Sequence, residues 1–398
     1  MGIPDKENMN PFWLLFLWSI QVALVIIVAI LNPNHYTTFD SGYYLASARF
    51  LMDGQGYLIQ DGSVTVWNSV FPMGYSLLIA LVALGTGIKV LWASKIVNLL
   101  FSGLWLFYLN KWFGTKTALL TGSILLFGNF LKIWVHTWSE PSFLILLFFL
   151  LYHFQKMDSQ PNLKRGLTVL LLGIALMLIR YAGIFIIFLT LLVGFSSLYK
   201  RRFVLAKINF GLALGWTSFI ALYFLINNLL GNSWYGGERF YGLNEFSTTF
   251  ILFIKALINE ILVFRNTDFM HLDAIFVFGL FAQSIVLFLA FKKMNFKPSF
   301  IHFKKDSITQ YTFIFALMYL LFLVIIRLLS PFDEPGYRLM SPFSFLFLWI
   351  LLYSFSSQRI VLKPVYLLYF GIFIVLTWLE LAPEKNINEK LTPLFQLF

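Results

Sequence analysis

The chain alternates long apolar runs with short polar breaks. Runs of about 20 apolar residues, the length of helix that crosses a hydrocarbon core, recur from residue 11 to residue 379. Inside a bilayer the backbone must satisfy its own polar groups, so runs of this length predict helices. The pattern predicts an all-α, polytopic membrane protein, a single domain over residues 1–398 with about eleven spans. They are expected at 11–31, 90–109, 117–135, 142–154, 166–179, from the Arg180-Tyr181-Ala182-Gly183 break to 199, and at 208–230, 274–291, 311–329, 343–355 and 360–379. The first run is too long for a signal peptide and lacks a small-residue cleavage site, so it is expected to stay as a span. The apolar stretch 74–84 is too short to cross and ends at Gly85-Thr86-Gly87, which predicts a re-entrant or interfacial helix.

Two long polar-aromatic intervals stand out, 32–75 and 231–272, and a polar tail covers 381–398. Within the first, Tyr44, Leu45, Ala48, Leu51 and Met52 make one helical stripe that Gly54 ends, a helix expected at the interface with Asp40 at its start. The second interval carries an amphipathic segment at 247–264.

Charge then orients the helices. Only 12% of residues are charged, against roughly 25% in soluble domains. The net charge of +11 comes from Lys and Arg in short loops between spans, a pattern of membrane topology and not of a nucleic-acid surface. The basic loops follow spans 2, 4, 6, 8 and 10, which places them and the N-terminus in the cytoplasm. Both long intervals, the Glu140 turn, the Arg180 break and the loop before Arg338 then share the outer face. A plasma (inner) membrane is the expected location, and an endoplasmic-reticulum membrane would obey the same topology. The chain has no Cys, so thiol and zinc-thiolate chemistry are absent.

The polar residues on that face are the candidates for chemistry, each with a structural alternative. Asp40 is either an N-cap or a carboxylate presented where a lipid-borne substrate would expose its reactive group. Glu140 opens a span before Pro141, as helix-end electrostatics or as a functional acid. His136, four residues earlier, could share a divalent cation with it, although two ligands are few for a metal site. Arg180 and Arg338 either snorkel to the interface or fork onto an anionic headgroup. Asp333 and Glu334 read as a solvated loop pair. Trp234, Tyr235, Phe240 and Tyr241 would stack on sugars or form an interfacial belt. No P-loop, serine elbow, HExxH or dinucleotide fingerprint occurs.

Five stretches stand out as motifs: FDSGYYLASARFLMDGQGY, FPMGYSLLIA, WSEPSFLILLFFLLYHF, LIRYAGIFIIF and GYRLMSPFSFLFL. Together they resemble the GT-C superfamily of integral-membrane glycosyltransferases, and within it the protein O-mannosyltransferase and lipid A aminoarabinose transferase branch. The chain departs from the pattern at Asp40-Ser41, where relatives often carry Asp-Glu, and at the single Pro72 in place of Pro-Pro. The resemblance implies sugar transfer from a polyprenyl-phosphate donor to a lipid, glycan or protein acceptor at the outer face. It implies Asp40 as general base in an inverting displacement and Arg180 and Arg338 on the donor phosphate. Glu140 would orient the acceptor or support a cation, with Tyr43, Tyr44, His136 and Tyr337 as substrate contacts. No metal site is assigned, and a divalent cation is left open. The competing class is a lipid-linked sugar transporter or flippase, or a non-catalytic membrane accessory protein. Its ionisable groups would be needed at mid-span, whereas here they gather at one membrane edge.

Overall fold

The computed structural model describes residues 10–236, 245–261, 274–294, 307–329, 335–356 and 364–381. Asp333, Glu334, Phe240, Tyr241, the polar tail and the basic stretches 295–306 and 357–363 lie outside the described residues. Helix dominates: α1 (Phe12–Leu31), α2 (Phe39–Met52), α3 (Gly74–Thr86), α4 (Val90–Phe113), α5 (Thr115–Gly122), α6 (Gly128–Val135), α7 (Glu140–Ser159) and α8 (Leu163–Ile179) lead to α9 (Phe185–Tyr199). Then come α10 (Phe203–Gly231), α11 (Phe246–Ile261), α12 (Ala274–Met294), α13 (Ser307–Leu329), α14 (Tyr337–Ser356) and α15 (Pro364–Thr377). Between α2 and α3 the chain adds a small antiparallel hairpin, β1 (Leu58–Asp61) with β2 (Val64–Trp67), turned at Gly62 with φ +60°.

Seven helices among the described residues are long and apolar enough to cross a membrane, and one bent pair would make an eighth. The architecture is therefore that of a multi-pass membrane bundle. Of the shorter expected spans, α8 has 17 residues and α7 carries charged residues at both ends, so neither is among the seven.

The expectation of one continuous span at 117–135 is corrected. After α5 the chain passes through a 3-10 turn, Ser123–Leu126, and bends by 70° into α6. Phe127 is extended at the break, which frees backbone groups that lipid cannot satisfy. The end of α15 supplies the partners. The Gly128 N–H donates to Thr377 Oγ1 at 2.8 Å, and the Trp378 indole N–H donates to the Leu126 carbonyl at 2.7 Å. A Cβ on residue 128 would sit 1.8 Å from the Thr377 carbonyl oxygen, so the approach requires glycine.

Packing elsewhere follows the same logic of small against large. A Cβ at Gly173 in α8 would lie 2.3 Å from the Trp216 ring of α10, and the Trp216 N–H donates to the Leu170 carbonyl at 2.9 Å. Trp105, Trp134, Trp216 and Trp349 are fully buried, while Leu and Phe side chains cover the outer faces. Several basic residues collect at three helix turns. Lys111 and Lys116 lie where α4 meets α5, and Arg165, Lys200, Arg201 and Arg202 lie at the α7–α8 and α9–α10 turns. There Arg202 pairs with Asp158 at 3.1 Å. Glu140 opens α7 at the opposite end.

Candidate active site

The start of α2 corrects one of the two readings of Asp40, that of an N-cap. Thr38, not Asp40, is the N-cap residue, and its N–H donates to Ser41 Oγ at 2.9 Å. Asp40 lies inside the first turn, where the helix dipole favours a carboxylate. The expected stripe is the packed face: Tyr44, Leu45 and Ala48 are buried, and Leu51 and Met52 pack against the core.

The turn between α6 and α7, His136-Thr137-Trp138-Ser139, is held from all sides. The Thr137 N–H donates to the Tyr36 carbonyl at 3.3 Å, and Ser41 Oγ donates to the Thr137 carbonyl at 3.0 Å. From α4, the Lys95 ammonium donates to the Val135 carbonyl and to Thr137 Oγ1, and Ser94 Oγ lies 2.9 Å from the same hydroxyl. Asn98 Nδ2 donates to the His136 carbonyl at 2.9 Å, with its own oxygen held by the Tyr75 hydroxyl at 3.1 Å. Tyr44 OH pairs with Ser139 Oγ at 3.1 Å. A turn fixed this way delivers the next residue, Glu140, in one place.

Glu140 is the hub. Its side chain is 2% exposed and pairs with both Arg180 and Arg338, while Arg338 also pairs with Asp40. Exposure rises along the cluster, from 2% at Glu140 through 15% at Arg180 and 22% at Arg338 to 27% at Asp40. Two carboxylates and two guanidiniums thus form a neutral group that opens outward at Asp40. The four residues come from α2, α7, the end of α8 and the start of α14. Arg180 reaches inward because Ile179 ends α8, Arg180 is extended, and the 3-10 turn Tyr181–Ile184 restarts the chain. Neither arginine snorkels away from the protein, so that alternative is corrected. Glu140 Oε2 is buried and makes no hydrogen bond among the described residues.

The remaining expected contacts divide. Tyr43 is half-buried between Phe39 and Phe71, with centroids at 5.1 and 5.9 Å, beside Asp40. Tyr337 is half-buried under the Lys132 ammonium at 4.5 Å. Tyr44 and His136 are buried in the turn's own network, and burial pushes the Tyr44 phenol up. His136 Nδ1 meets the Lys132 carbonyl at 2.7 Å, which makes that nitrogen the donor, and its ring stacks on Trp138 at 3.7 Å. Burial pushes the His136 imidazole down to about 3, so it is neutral. Among the described residues no three His, Asp or Glu side chains converge. The His136–Glu140 pairing on a cation finds no third ligand among the described residues.

Sequence reasoning missed Thr38, Lys95, Asn98 and Trp138. Apart from the local Thr38–Ser41 cap, their side-chain hydrogen-bond partners lie 23–100 residues away, and no local spacing encodes such contacts.

The fold is shared with solved membrane proteins. The crystal structure of ArnT from Cupriavidus metallidurans bound to undecaprenyl phosphate matches with a TM-score of 0.56 at 14% identity, over 92% of this chain and 63% of that one. ArnT from the same organism in the apo state matches with a TM-score of 0.53 at 14% identity, over 91% of this chain and 62% of that one. The chain thus spans less than two thirds of these structures. No protein-family profile and no curated protein matches the sequence. At this identity the likeness shows a common fold with those structures.

Proposed function

We propose that the chain is a GT-C-type glycosyltransferase that moves a sugar from a polyprenyl-phosphate donor to an acceptor hydroxyl. The observation that carries this reading is the cluster of Asp40, Glu140, Arg180 and Arg338 at one end of a membrane bundle. Its architecture is one that in ArnT holds undecaprenyl phosphate.

Each demand of the reaction has a group to meet it. The acceptor oxygen attacks the anomeric carbon as its proton passes to the Asp40 carboxylate, the most open member of the cluster. The bond from the anomeric carbon to the phosphate oxygen breaks, and the charge growing on the leaving phosphate is met by Arg180 and Arg338. One base without a partner nucleophile fits a single displacement with inversion. Glu140 keeps both guanidiniums in place, and its unpaired Oε2 suits a contact to the acceptor or to a cation. Tyr43 and Tyr337 flank the opening as candidate sugar or acceptor contacts.

This end of the bundle is taken as the outer face because the Lys and Arg of the α4–α5, α7–α8 and α9–α10 turns collect at the other end. On this orientation the N-terminus is cytoplasmic and the protein sits in a plasma (inner) membrane.

The test is a release assay with purified wild type and Asp40→Asn and a panel of polyprenyl-phosphate sugars, following free polyprenyl phosphate. Release by wild type and none by a folded variant is expected. Wild-type turnover in the variant would remove Asp40 as the base, and no release from any donor would refute the donor class.

A further inference from the structure

Trp138 stands two residues before Glu140 and carries no charge, yet it touches both Arg338 and the start of the helix that carries Asp40. The Arg338 guanidinium lies over its ring, 4.6 Å from the centroid, inside the roughly 6 Å reach of a cation–π contact. Its indole N–H donates to Thr38 Oγ1 at 2.9 Å, and Thr38 is the cap of the helix that carries Asp40. We infer that Trp138 is a positioning residue, whose face seats Arg338 and whose N–H anchors the start of α2, so that one side chain sets the spacing between Asp40 and Arg338.

The geometry makes the indole a fixed reference. It is 4% exposed, and His136 stacks on it at 3.7 Å with an interplanar angle of 13°. The Tyr36 ring closes edge-on against His136 at 4.8 Å, so the indole cannot tilt without moving the whole stack. The neutral His136 adds no second cation beside Arg338. A guanidinium has two kinds of surface: its faces stack on aromatic rings and its edge carries five N–H donors. Resting on Trp138, Arg338 keeps that edge for carboxylates, and for a phosphate that replaces one of them.

The functional consequence rests on the reading of Arg338 as a phosphate ligand, whereas the seat itself is a property of the fold, so two measurements separate them. The first is a double-mutant cycle on thermal unfolding in detergent without ligand, with Trp138→Leu and Arg338→Met. Coupling is expected, with Arg338→Met costing less in the Trp138→Leu background, and additive effects would overturn the seat. The second is equilibrium binding of undecaprenyl phosphate to protein in nanodiscs. Trp138→Leu should weaken binding about tenfold, the effect of losing one partly desolvated cation–π contact. Trp138→Phe, which keeps a ring but no N–H, should weaken it less, and Thr38→Ala should reproduce the Trp138→Phe loss. Wild-type affinity in Trp138→Leu, with binding lost in Arg338→Met, would overturn the positioning role. If wild type does not bind the lipid, the phosphate reading of Arg338 fails while the cycle still decides the seat. If Trp138→Leu does not fold, Trp138→Met, which also removes the ring, takes its place in the cycle, and the Thr38→Ala comparison decides the N–H link.

Discussion

Replacing Glu140 with Gln should destabilise the protein more than any other single change in the cluster. Glu140 is 2% exposed and is shared by two arginines, of which Arg338 has Asp40 as a second acid. Gln keeps the volume and removes the charge, so Arg180, 15% exposed, is left as an unneutralised guanidinium at the base of the site. Breaking a buried ion pair by removing one partner costs about 3–5 kcal/mol, mostly from the stranded charge. Asp40→Asn removes the most exposed acid and leaves Arg338 still paired with Glu140, so its cost should stay near the 0–1 kcal/mol of an exposed pair, roughly. The assay is thermal unfolding in detergent of wild type, Glu140→Gln, Asp40→Asn and the double variant Glu140→Gln/Arg180→Met. The double variant should recover much of the loss, because it removes the stranded charge together with its partner. Wild-type stability in Glu140→Gln, or no recovery in the double variant, would refute the argument.

Three further outcomes follow from particular contacts. Gly128→Ala should sharply reduce the yield of folded protein on size-exclusion chromatography, since its Cβ would meet the Thr377 backbone at 1.8 Å. Lys95→Met should keep or raise thermal stability, because it removes a buried ammonium with no carboxylate partner among its hydrogen bonds. It should also lower turnover in the release assay by loosening the turn before Glu140. His136 is held neutral with a pKa of about 3, below the roughly 6.5 of an unfolded chain, so the unfolded state binds the extra proton and stability falls as pH drops from about 6.5 toward 3. Against His136→Phe, wild type should lose about 2 kcal/mol between pH 7 and pH 5 in parallel denaturation curves.

The bundle was legible because span length is fixed by bilayer thickness, and the charged candidates because so few charges occur near spans. Asp40, Glu140, Arg180 and Arg338 could each be singled out this way, and each carried a structural alternative at that stage. That the four meet depends on tertiary contacts 198 and 298 residues apart, which no local pattern records. The cap at Thr38 was missed because a Thr three residues before Ser41 is as weak a signal as the neighbouring Asp. The break in the third expected span was hidden for a different reason. Apolar residues run on both sides of Phe127, and the bend is accommodated where a glycine meets a backbone 249 residues later in the chain.

That break also sets an order of events during synthesis. Thr377 and Trp378 stand 249 and 252 residues after the groups they satisfy. At about 5–20 residues per second the ribosome needs roughly 10–50 s to make the intervening chain. For that interval the Leu126 carbonyl and the Gly128 N–H lack the partners that they have in the finished bundle. A nascent chain stalled before α15 therefore carries an exposed polar notch within its apolar surface, a mark by which membrane quality control could tell unfinished copies from complete ones.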